Sequence, residues 1–502
     1  MVDFRPVAYV IGRILIVLAI LMLAPAIIDW RAGLENGYDF FASAALTGVV
    51  GGGLTLSTGN ALGKPLDTRQ AYLLTAGIWF LVPFFAALPF WIGEPGLTLN
   101  NAYFEAVSGI TTTGSTVIYG LDDLPAGMNL WRGMLNWLGG LGIAFIAMIF
   151  LPLMRVGGMQ FFRTEGFDTF GKALPRAADI AMQLLGVYVG LTVLCIAVYA
   201  AIGMETLDAV VNGFSTIATG GFSPSDDSFN KYAGSGEYFG ALFMILGSLP
   251  YIRYAQMMSG APQALWRDSQ ARAYVRWLAY AVLSVTAWRV WTTGDPVEPV
   301  FREALFNLTS IMSSSGFFTG SFPTWGGFML VVAFVIGIVG GCSGSSGAGL
   351  TVFRVQLVLA VVRREVRRIG NPSSVEPIRY DGRTVGEDVL NALILFVSGY
   401  ILILGVMSVA MTLLGVDSMS ALFAVWTALA NVGYGFGPLV ERTGTFVDFP
   451  PGAIAIMSLC MLLAALACSR SWCWCCPASG GDRGFGRHGK PKNFLENSWA
   501  YP

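Results

Sequence analysis

The sequence ANVGYGFGP, residues 430–438, directly follows a short apolar segment near the end of the chain. The same arrangement, in which small hydroxyl or amide residues lead from an apolar segment into a glycine, recurs three times earlier. The four copies are YFEAVSGITTTGST (residues 103–116), VVNGFSTIATGGFSP (210–224), LFNLTSIMSSSGFFTG (305–320) and LFAVWTALANVGYGFGP (422–438). A recurrence of roughly one hundred residues indicates an internal repeat, so the fold is predicted to contain four similar units.

The composition of the chain indicates that these units lie in a membrane. The 502 residues are 55% hydrophobic and only 12% charged, which is too apolar for a soluble globular protein. The first apolar segment is longer than the core of a signal peptide, about 7 to 15 residues, so a retained helix is favoured. An all-α polytopic membrane protein with about ten transmembrane helices is predicted, since about 20 apolar residues cross the hydrocarbon core. The predicted spans are residues 7–28, 38–60, 70–93, 130–154, 179–203, 236–258, 272–293, 326–360, 389–415 and 450–470.

Basic residues lie on alternate loops, among them Arg5, Arg69, Arg176, Arg272 and the run 363–368. The positive-inside rule assigns these loops and the N-terminus to the cytoplasm, which leaves the four repeated motifs on the outside. The formal net charge of -1 gives no reason to expect a nucleic-acid partner. The lipid bilayer is the expected surrounding. We predict an N-terminal helical pair (1–66), four pseudo-symmetric helix, pore-loop, helix units (67–156, 176–260, 270–362 and 387–470) and an atypical tail (471–502).

The apolar segment before each glycine is too short to span the membrane and suits a half-helix that enters from outside and stops midway. Non-helical backbone at that depth is tolerated only where protein or a water-filled cavity surrounds it, so four such loops predict a pore. Backbone carbonyl groups from four loops can replace the hydration shell of a monovalent cation. Glycine adopts the required backbone angles at little cost. The partial negative charge at the C-terminal end of each half-helix favours a cation over an anion.

Aligning the copies on one glycine identifies the candidate filter residues. The aligned glycines are Gly114, Gly220, Gly316 and Gly433, with Ser108, Phe214, Ser310 and Thr427 six positions earlier. The residues directly before the glycines are Thr112 and Thr113, Ala218 and Thr219, Ser314 and Ser315, and Asn431 and Val432. The fourth loop, NVGYG, differs at its first residue from the TVGYG filter of potassium channels. The other loops lack its second glycine at the same place, so a short, asymmetric filter is predicted.

A second candidate site interrupts the eighth apolar segment. It is the run Gly340, Gly341, Cys342, Ser343, Gly344, Ser345, Ser346, Gly347, Ala348 and Gly349. Each glycine in a helix interior costs about 1 kcal/mol relative to alanine, so the helix is predicted to break there. A movable gate with little packing to hold it is the favoured interpretation. The alternative is a tight helix-packing surface of small residues.

These motifs resemble the Trk/Ktr/HKT superfamily of potassium transporters, specifically its bacterial TrkH-like members. The most specific stretches are SGITTTGSTV (108–117), NWLGGLGI (136–143), LPLMRVGGMQ (151–160), FSTIATGGFS (214–223) and GGCSGSSGAGLTVFR (340–354). The resemblance implies K+ as the transported ion, held beside the four glycines, and no organic cofactor. It also implies a homodimer in the bacterial inner membrane, a cytoplasmic nucleotide-binding regulatory ring of the TrkA kind, and a gate at 340–349. Members of the family commonly carry lysine where this chain has Thr351.

Three alternatives to potassium uptake stay open. A Na+-permeable or H+/Na+-coupled cation transporter would have the same fold. A secondary transporter for another solute would predict inverted repeats and intramembrane carboxylates. A membrane enzyme would need a cluster of catalytic side chains, and no enzyme is expected because the chain has a single histidine, His488, in its tail.

The tail departs from the family pattern after Leu463. Its Cys468, Cys473, Cys475 and Cys476, together with His488, match no zinc spacing. The favoured hypothesis is a change of reading frame near Leu463.

Overall fold

The computed structural model describes residues 3–61, 68–145, 175–373 and 377–467. The predicted motif at 151–160, the C-terminal end of the first unit and the tail with its cysteines and His488 lie outside these residues. Within them five helices are long and apolar enough to cross a membrane. Those five are Arg5–Arg31, Asn36–Ser57, Arg69–Ile92, Ala181–Ala201 and Val389–Leu413, and shorter apolar helices span Gly327–Val339, Ser418–Ala430 and Pro451–Leu466.

The N-terminal pair consists of α1 (Arg5–Arg31) and α2 (Asn36–Ser57). The two helices approach closely where glycines face each other, since a Cβ on Gly12 would lie 2.8 Å from the carbonyl oxygen of Gly51. Close approach through small residues is the usual way in which helices associate in lipid. A 3-10 turn, Gly59–Ala61, follows α2.

The remaining helices form four similar groups, and each group contains one half-helix. The first group contains α3 (Thr68–Ala86), α4 (Leu88–Ile92), the half-helix α5 (Leu99–Ile110) and α6 (Ala126–Phe145). The second group contains α7 (Pro175–Ala201), the half-helix α8 (Thr206–Ala218), α9 (Ser235–Gly247) and α10 (Tyr251–Met258).

The third group contains α11 (Ala264–Arg267), α12 (Ser269–Thr293), the half-helix α13 (Val297–Ser313), α14 (Gly327–Val339) and α15 (Val352–Gly370). The fourth group contains α16 (Glu387–Leu413), the half-helix α17 (Ser418–Ala430), α18 (Pro438–Glu441) and α19 (Pro451–Ala467).

The half-helices lie at the centre of the packing, whereas outer helices expose apolar side chains. Phe104 of α5, Ile311 of α13 and Trp426 of α17 are fully buried, but Leu395 of α16 is 75% exposed. Exposed leucine on a long apolar helix is expected where the surroundings are lipid, because lipid chains are as apolar as leucine. This arrangement places the ends of the four half-helices in the protein interior.

Two expected spans are interrupted. The helix predicted over 326–360 ends at Val339 and resumes at Val352, which confirms the predicted break. The helix predicted over 236–258 is also broken, because α9 ends at Gly247 and α10 begins at Tyr251 directly after Pro250. Proline lacks an amide hydrogen and fixes φ, so it suits the start of the second segment.

A small antiparallel hairpin between α15 and α16 was not predicted. Strands β1 (Arg379–Tyr380) and β2 (Arg383–Thr384) pair around Asp381 and Gly382, both with positive φ. Asp-Gly is a favoured two-residue hairpin turn because both positions need positive φ. The ring of Tyr380 packs edge-on against that of Phe353, 4.9 Å away, which holds the hairpin on the first turn of α15.

Candidate functional site: a ring of four re-entrant loops

Each half-helix ends in the same backbone conformation, followed by a loop that we call its filter loop, numbered one to four in chain order. A residue with left-handed φ is followed by one ordinary residue and then by a glycine with positive φ. The residues with left-handed φ are Thr112 (54°), Thr219 (54°), Ser314 (66°) and Asn431 (50°), and the glycines are Gly114 (80°), Gly221 (75°), Gly316 (81°) and Gly433 (80°). Residues other than glycine seldom adopt positive φ. Because this unusual conformation recurs at the same point in all four loops, the loops are structurally equivalent.

The second filter loop is aligned one residue later than the sequence predicted. Gly221, not Gly220, has the conformation of the other three glycines. The hydrogen bonds at the ends of the half-helices support the same alignment. In each loop the amide of the residue before the glycine with positive φ donates to the carbonyl oxygen five residues earlier. The pairs are Thr113 to Ser108 (2.8 Å), Gly220 to Ser215 (2.8 Å), Ser315 to Ser310 (2.8 Å) and Val432 to Thr427 (3.0 Å).

The predicted equivalence of Gly220 to the other three glycines was therefore wrong, as was that of Phe214 to the hydroxyl residues. Ala218 is the last residue of α8, not the first of a filter pair. The error arises because two adjacent glycines fit the glycine pattern equally well. In the corrected alignment a hydroxyl residue stands six positions before the glycine in every copy.

The four glycines bring the loops into contact in chain order and close a ring. A Cβ on each glycine would overlap the carbonyl oxygen of the residue just before the glycine of the next loop. The distances are 2.2 Å from Gly114 to Gly220, 1.9 Å from Gly221 to Ser315, 2.2 Å from Gly316 to Val432 and 2.2 Å from Gly433 to Thr113. Since real Cβ atoms do not come within 3.0 Å of such an atom, a side chain at any of the four positions would push two loops apart.

Further hydrogen bonds join neighbouring loops. The fourth loop reaches the first through Asn431, whose Nδ2 donates to the carbonyl oxygen of Thr111 at 2.9 Å. The second unit reaches the third loop through the amide of Phe229, which donates a hydrogen bond to the carbonyl oxygen of Phe318 at 3.2 Å. The hydroxyl of Tyr434 in the fourth loop bonds Oδ1 of Asn307 at 3.3 Å. The bonds of Phe318 and Tyr434 lie on the side that leads outward from the glycines, whereas the bond of Asn431 lies on the side of the half-helix ends.

Two half-helix side chains that the sequence analysis did not single out clamp their own loops. Glu105 accepts the amide of Val117 at 2.7 Å, and Asn307 accepts the amide of Thr319 at 3.2 Å. Each of these two side chains lies nine residues before its filter glycine, and each binds the residue that lies three positions after that glycine. In the second loop the corresponding pair is Asn212 and Pro224, and proline has no amide hydrogen to donate. In the fourth loop alanine occupies the half-helix position, so the clamp is present in alternate loops.

The interrupted stretch between α14 and α15, which contains all ten residues 340–349, lies directly against the third filter loop. The amide of Ala348 donates to the hydroxyl oxygen of Ser314 at 3.2 Å. A Cβ on Gly347 would lie 3.1 Å from the carbonyl oxygen of Ser313. Thus the two candidate sites adjoin.

The expectation that 340–349 has little packing to hold it was wrong. Cys342, Ser345 and Ser346 are buried. The break between α9 and α10 supplies hydrogen-bond partners, since a broken helix leaves backbone groups unpaired. The amide of Cys342 donates to the carbonyl oxygen of Ser248 at 3.0 Å, and the amide of Ser346 donates to the carbonyl oxygen of Gly247 at 3.3 Å. In the opposite direction, the amide of Tyr251 donates to the carbonyl oxygen of Gly344 at 2.9 Å.

Tyr251 also connects this stretch to the second half-helix. Its hydroxyl lies 2.9 Å from Oγ of Ser346 and donates to the carbonyl oxygen of Ile217 at 3.3 Å. Ile217 is the penultimate residue of α8. The stretch 340–349 therefore contacts the ends of two half-helices, α8 through Tyr251 and α13 through Ser314.

Comparisons with known proteins agree with this architecture. The family model TrkH, described as a cation transport protein, matches residues 36–467. The chain is 35% identical to the Trk system potassium uptake protein TrkI of Halomonas elongata, over 92% of this chain and 94% of that protein. It is 32% identical to the Trk system potassium uptake protein TrkH of Escherichia coli K12, over 92% and 96%. The crystal structure of the potassium transporter TrkH from Vibrio parahaemolyticus superposes with a TM-score of 0.87 at 28% identity, covering 95% of this chain and 99% of that one.

Proposed function

Because the chain belongs to the TrkH family of cation transport proteins, we propose that it takes up K+ through the ring of four filter loops. The chain is a membrane-spanning transporter of the bacterial inner membrane and not an enzyme. The observation that carries the proposal is the closed ring, in which each filter glycine meets a carbonyl oxygen of the next loop.

The ring suits a dehydrated monovalent cation. The carbonyl oxygens of Thr113, Gly220, Ser315 and Val432 belong to equivalent positions in the four loops. Such oxygens replace water around K+ and, being neutral, hold the ion without trapping it. The C-terminal ends of all four half-helices point to this region and add partial negative charge. In this proposal the filter consists of residues 112–114, 219–221, 314–316 and 431–433.

The stretch 340–349 is proposed to gate the pore. Its ends at Gly340 and Gly349 have positive φ, and such positions absorb backbone rotation with little strain. Its hydrogen bonds to Ser248, Gly247 and Ser314 define a closed arrangement that a movement of α15 would break. A cytoplasmic nucleotide-binding ring of the TrkA kind is the proposed source of that movement. A homodimer and a cytoplasmic N-terminus complete the proposal.

Uptake into proteoliposomes tests the filter. Radioactive Rb+ and Na+ would be offered to liposomes containing the chain, a Gly433→Asp variant, or a Gly444→Asp control. Gly433 and Gly444 both have positive φ, but only Gly433 faces the ring, because a Cβ on Gly444 comes no closer than 3.8 Å to any neighbour. Rb+ uptake in preference to Na+, abolished in Gly433→Asp and retained in Gly444→Asp, would support the proposal.

A version of the chain with the C-terminal frame restored after Leu463 separates the filter from the tail. Uptake by the restored protein alone would mean that residues 468–502 of this chain impair conduction. Uptake of Na+ equal to that of Rb+ would favour a Na+-permeable transporter, and no uptake by any folded version would contradict the proposed function.

A further inference from the structure

A buried pair of opposite charges lies behind the first and second filter loops. The side chains of Glu105 on α5 and Arg132 on α6 are 0% and 1% exposed. Charged groups at membrane depth are costly unless they are paired and hydrogen-bonded, and in membrane proteins they commonly mark functional positions. The proposed uptake of K+ does not by itself account for this pair, because neither residue belongs to the ring of carbonyl groups.

Glu105 binds the outward limb of the first filter loop. Its Oε1 accepts the amide of Val117 at 2.7 Å and the hydroxyl of Thr116. Its Oε2 lies 3.9 Å from Nε of Arg132. Hydrogen bonds to an ionised acceptor are stronger than those between neutral groups, so the carboxylate holds this limb more firmly than an amide would.

Arg132 extends the connection to the second filter loop. Its Nη1 donates to the carbonyl oxygen of Ser223 at 2.9 Å, and its guanidinium group lies 4.3 Å from the centre of the Phe222 ring. Phe222 and Ser223 directly follow Gly221. The path from Thr116 through Glu105 and Arg132 to Ser223 therefore joins two neighbouring loops by charged groups.

A second charged contact crosses the same junction. The carboxylate of Asp226, beyond the second loop, accepts the amides of Gly120 at 2.9 Å and of Leu121 at 3.1 Å, beyond the first. The contacts described above for the other three junctions, through Phe318, Tyr434 and Asn431, are hydrogen bonds between uncharged groups. At the half-helix position of Glu105 the other units carry asparagine, asparagine and alanine. A charge pair also joins the second and third units, Arg302 of α13 with Glu237 of α9. Among the described residues, what distinguishes the first junction is that its charged groups bind the filter loops themselves.

We propose that Glu105 and Arg132 are positioning residues that fix the spacing of the first and second filter loops and thereby set the preference for K+ over Na+. This inference rests on the proposed function. Selection by carbonyl groups depends on how many surround the ion and how readily they close on a smaller one. Tying the loops through a neutral pair stiffens one side of the ring without adding net charge beside the pore. A lone Arg132 would instead repel every cation alike.

The test uses the full chain in proteoliposomes and measures both the initial rate of Rb+ uptake and the ratio of Rb+ to Na+ uptake. Glu105→Gln keeps the size of the side chain and removes its charge. We expect the ratio to fall by about tenfold, the effect of losing one charge-assisted contact, and the rate to fall because Arg132 loses the carboxylate nearest to it, at 3.9 Å. In the double variant Glu105→Gln, Arg132→Gln the rate should recover while the ratio stays low.

Two further variants guard against misfolding and non-specific effects. Thr116→Val removes the hydroxyl bound by Glu105 without burying a lone charge, and a reduced ratio is expected there too. Asp208→Asn is the matched control, since Asp208 is also a half-helix carboxylate with a basic partner, Lys231 at 3.0 Å. Its ratio should equal that of the unmodified chain.

The outcomes separate the inference from the proposed function. If the unmodified chain does not take up Rb+ in preference to Na+, both the proposed function and the inference are refuted. A selective unmodified chain whose ratio is unchanged in Glu105→Gln and Thr116→Val would overturn the inference alone. Recovery of the ratio together with the rate in the double variant would also overturn it, because the pair would then act through its electric field and not through loop spacing.

Discussion

Alanine in place of Gly221 tests the corrected alignment of the second filter loop. The new Cβ would lie 1.9 Å from the carbonyl oxygen of Ser315 and 3.0 Å from its carbon. Ordinary contacts between carbon and oxygen are about 3.3 Å or longer, so the methyl group and the oxygen must separate by about 1.4 Å. The oxygen belongs to the third loop, and the separation therefore opens the ring between the second and third loops.

Backbone strain adds to this overlap. Gly221 has φ of +75°, a conformation that costs a residue with a Cβ about 1 to 2 kcal/mol. A displacement of about 1 Å in a preorganised enzyme site lowers activity on the order of 100-fold, and we expect a loss of similar size in Rb+ uptake. The measurement is initial Rb+ uptake into proteoliposomes, with thermal unfolding in K+ and in Na+ as a second readout that does not need conduction.

Gly444→Ala is the control for strain without overlap. Gly444 has φ of +68° and its nearest neighbour, the ring of Phe318, is 3.8 Å from the added Cβ. This variant should lose about 1 to 2 kcal/mol of stability and keep normal uptake. A Cβ on Gly220 would overlap the side chain of Asn136, at 2.4 Å from its Cγ, but would meet no carbonyl oxygen of a neighbouring loop and add no strain from positive φ. If Gly220→Ala abolished uptake while Gly221→Ala left it unchanged, the alignment derived from the structure would be refuted.

Other predictions concern the contacts between the filter and the stretch 340–349. Ser314→Ala removes the acceptor for the amide of Ala348, and losing about 1 kcal/mol from the closed arrangement should raise basal Rb+ uptake about fivefold. The control Ser458→Ala, whose hydroxyl bonds the carbonyl oxygen of Ile454 within α19, should leave uptake unchanged. Tyr251→Phe removes the bond to the same stretch and should raise basal uptake similarly; a lower uptake in both variants would contradict a closed gate. Asn307→Ala leaves two buried backbone groups unpaired and should lower the stability by about 1 to 3 kcal/mol in thermal unfolding.

The four-unit architecture could be predicted because its pattern is local. Each copy contains the pattern of a half-helix, a loop and a glycine within about fifteen residues. A recurrence of this kind can be recognised in the sequence without knowledge of tertiary contacts. The break at 340–349 was predictable for the same reason, since glycines weaken a helix wherever they stand. The alignment of the second copy failed because only the glycine was used; the hydroxyl of Ser215, six positions before Gly221, was the feature that distinguished the two possibilities.

Contacts between distant segments could not be predicted in this way. The packing of 340–349 depends on backbone groups freed at Gly247, Ser248 and Tyr251, about a hundred residues earlier, and Pro250 was the only local indication of that break. Glu105 and Arg132 were overlooked because the spans are nearly free of acids and each charge appears alone in the sequence. An isolated charge in an apolar segment is itself informative, because it requires a partner at the same depth.

The central claim is that a cation lies among the carbonyl oxygens of Thr113, Gly220, Ser315 and Val432. Its most direct test is an experimental structure of the full chain with Tl+, an anomalously scattering substitute for K+, compared with one in Na+. The account predicts an anomalous peak enclosed by these four oxygens in Tl+. A peak elsewhere along the chain, or none within the ring of a well-ordered filter, would contradict it.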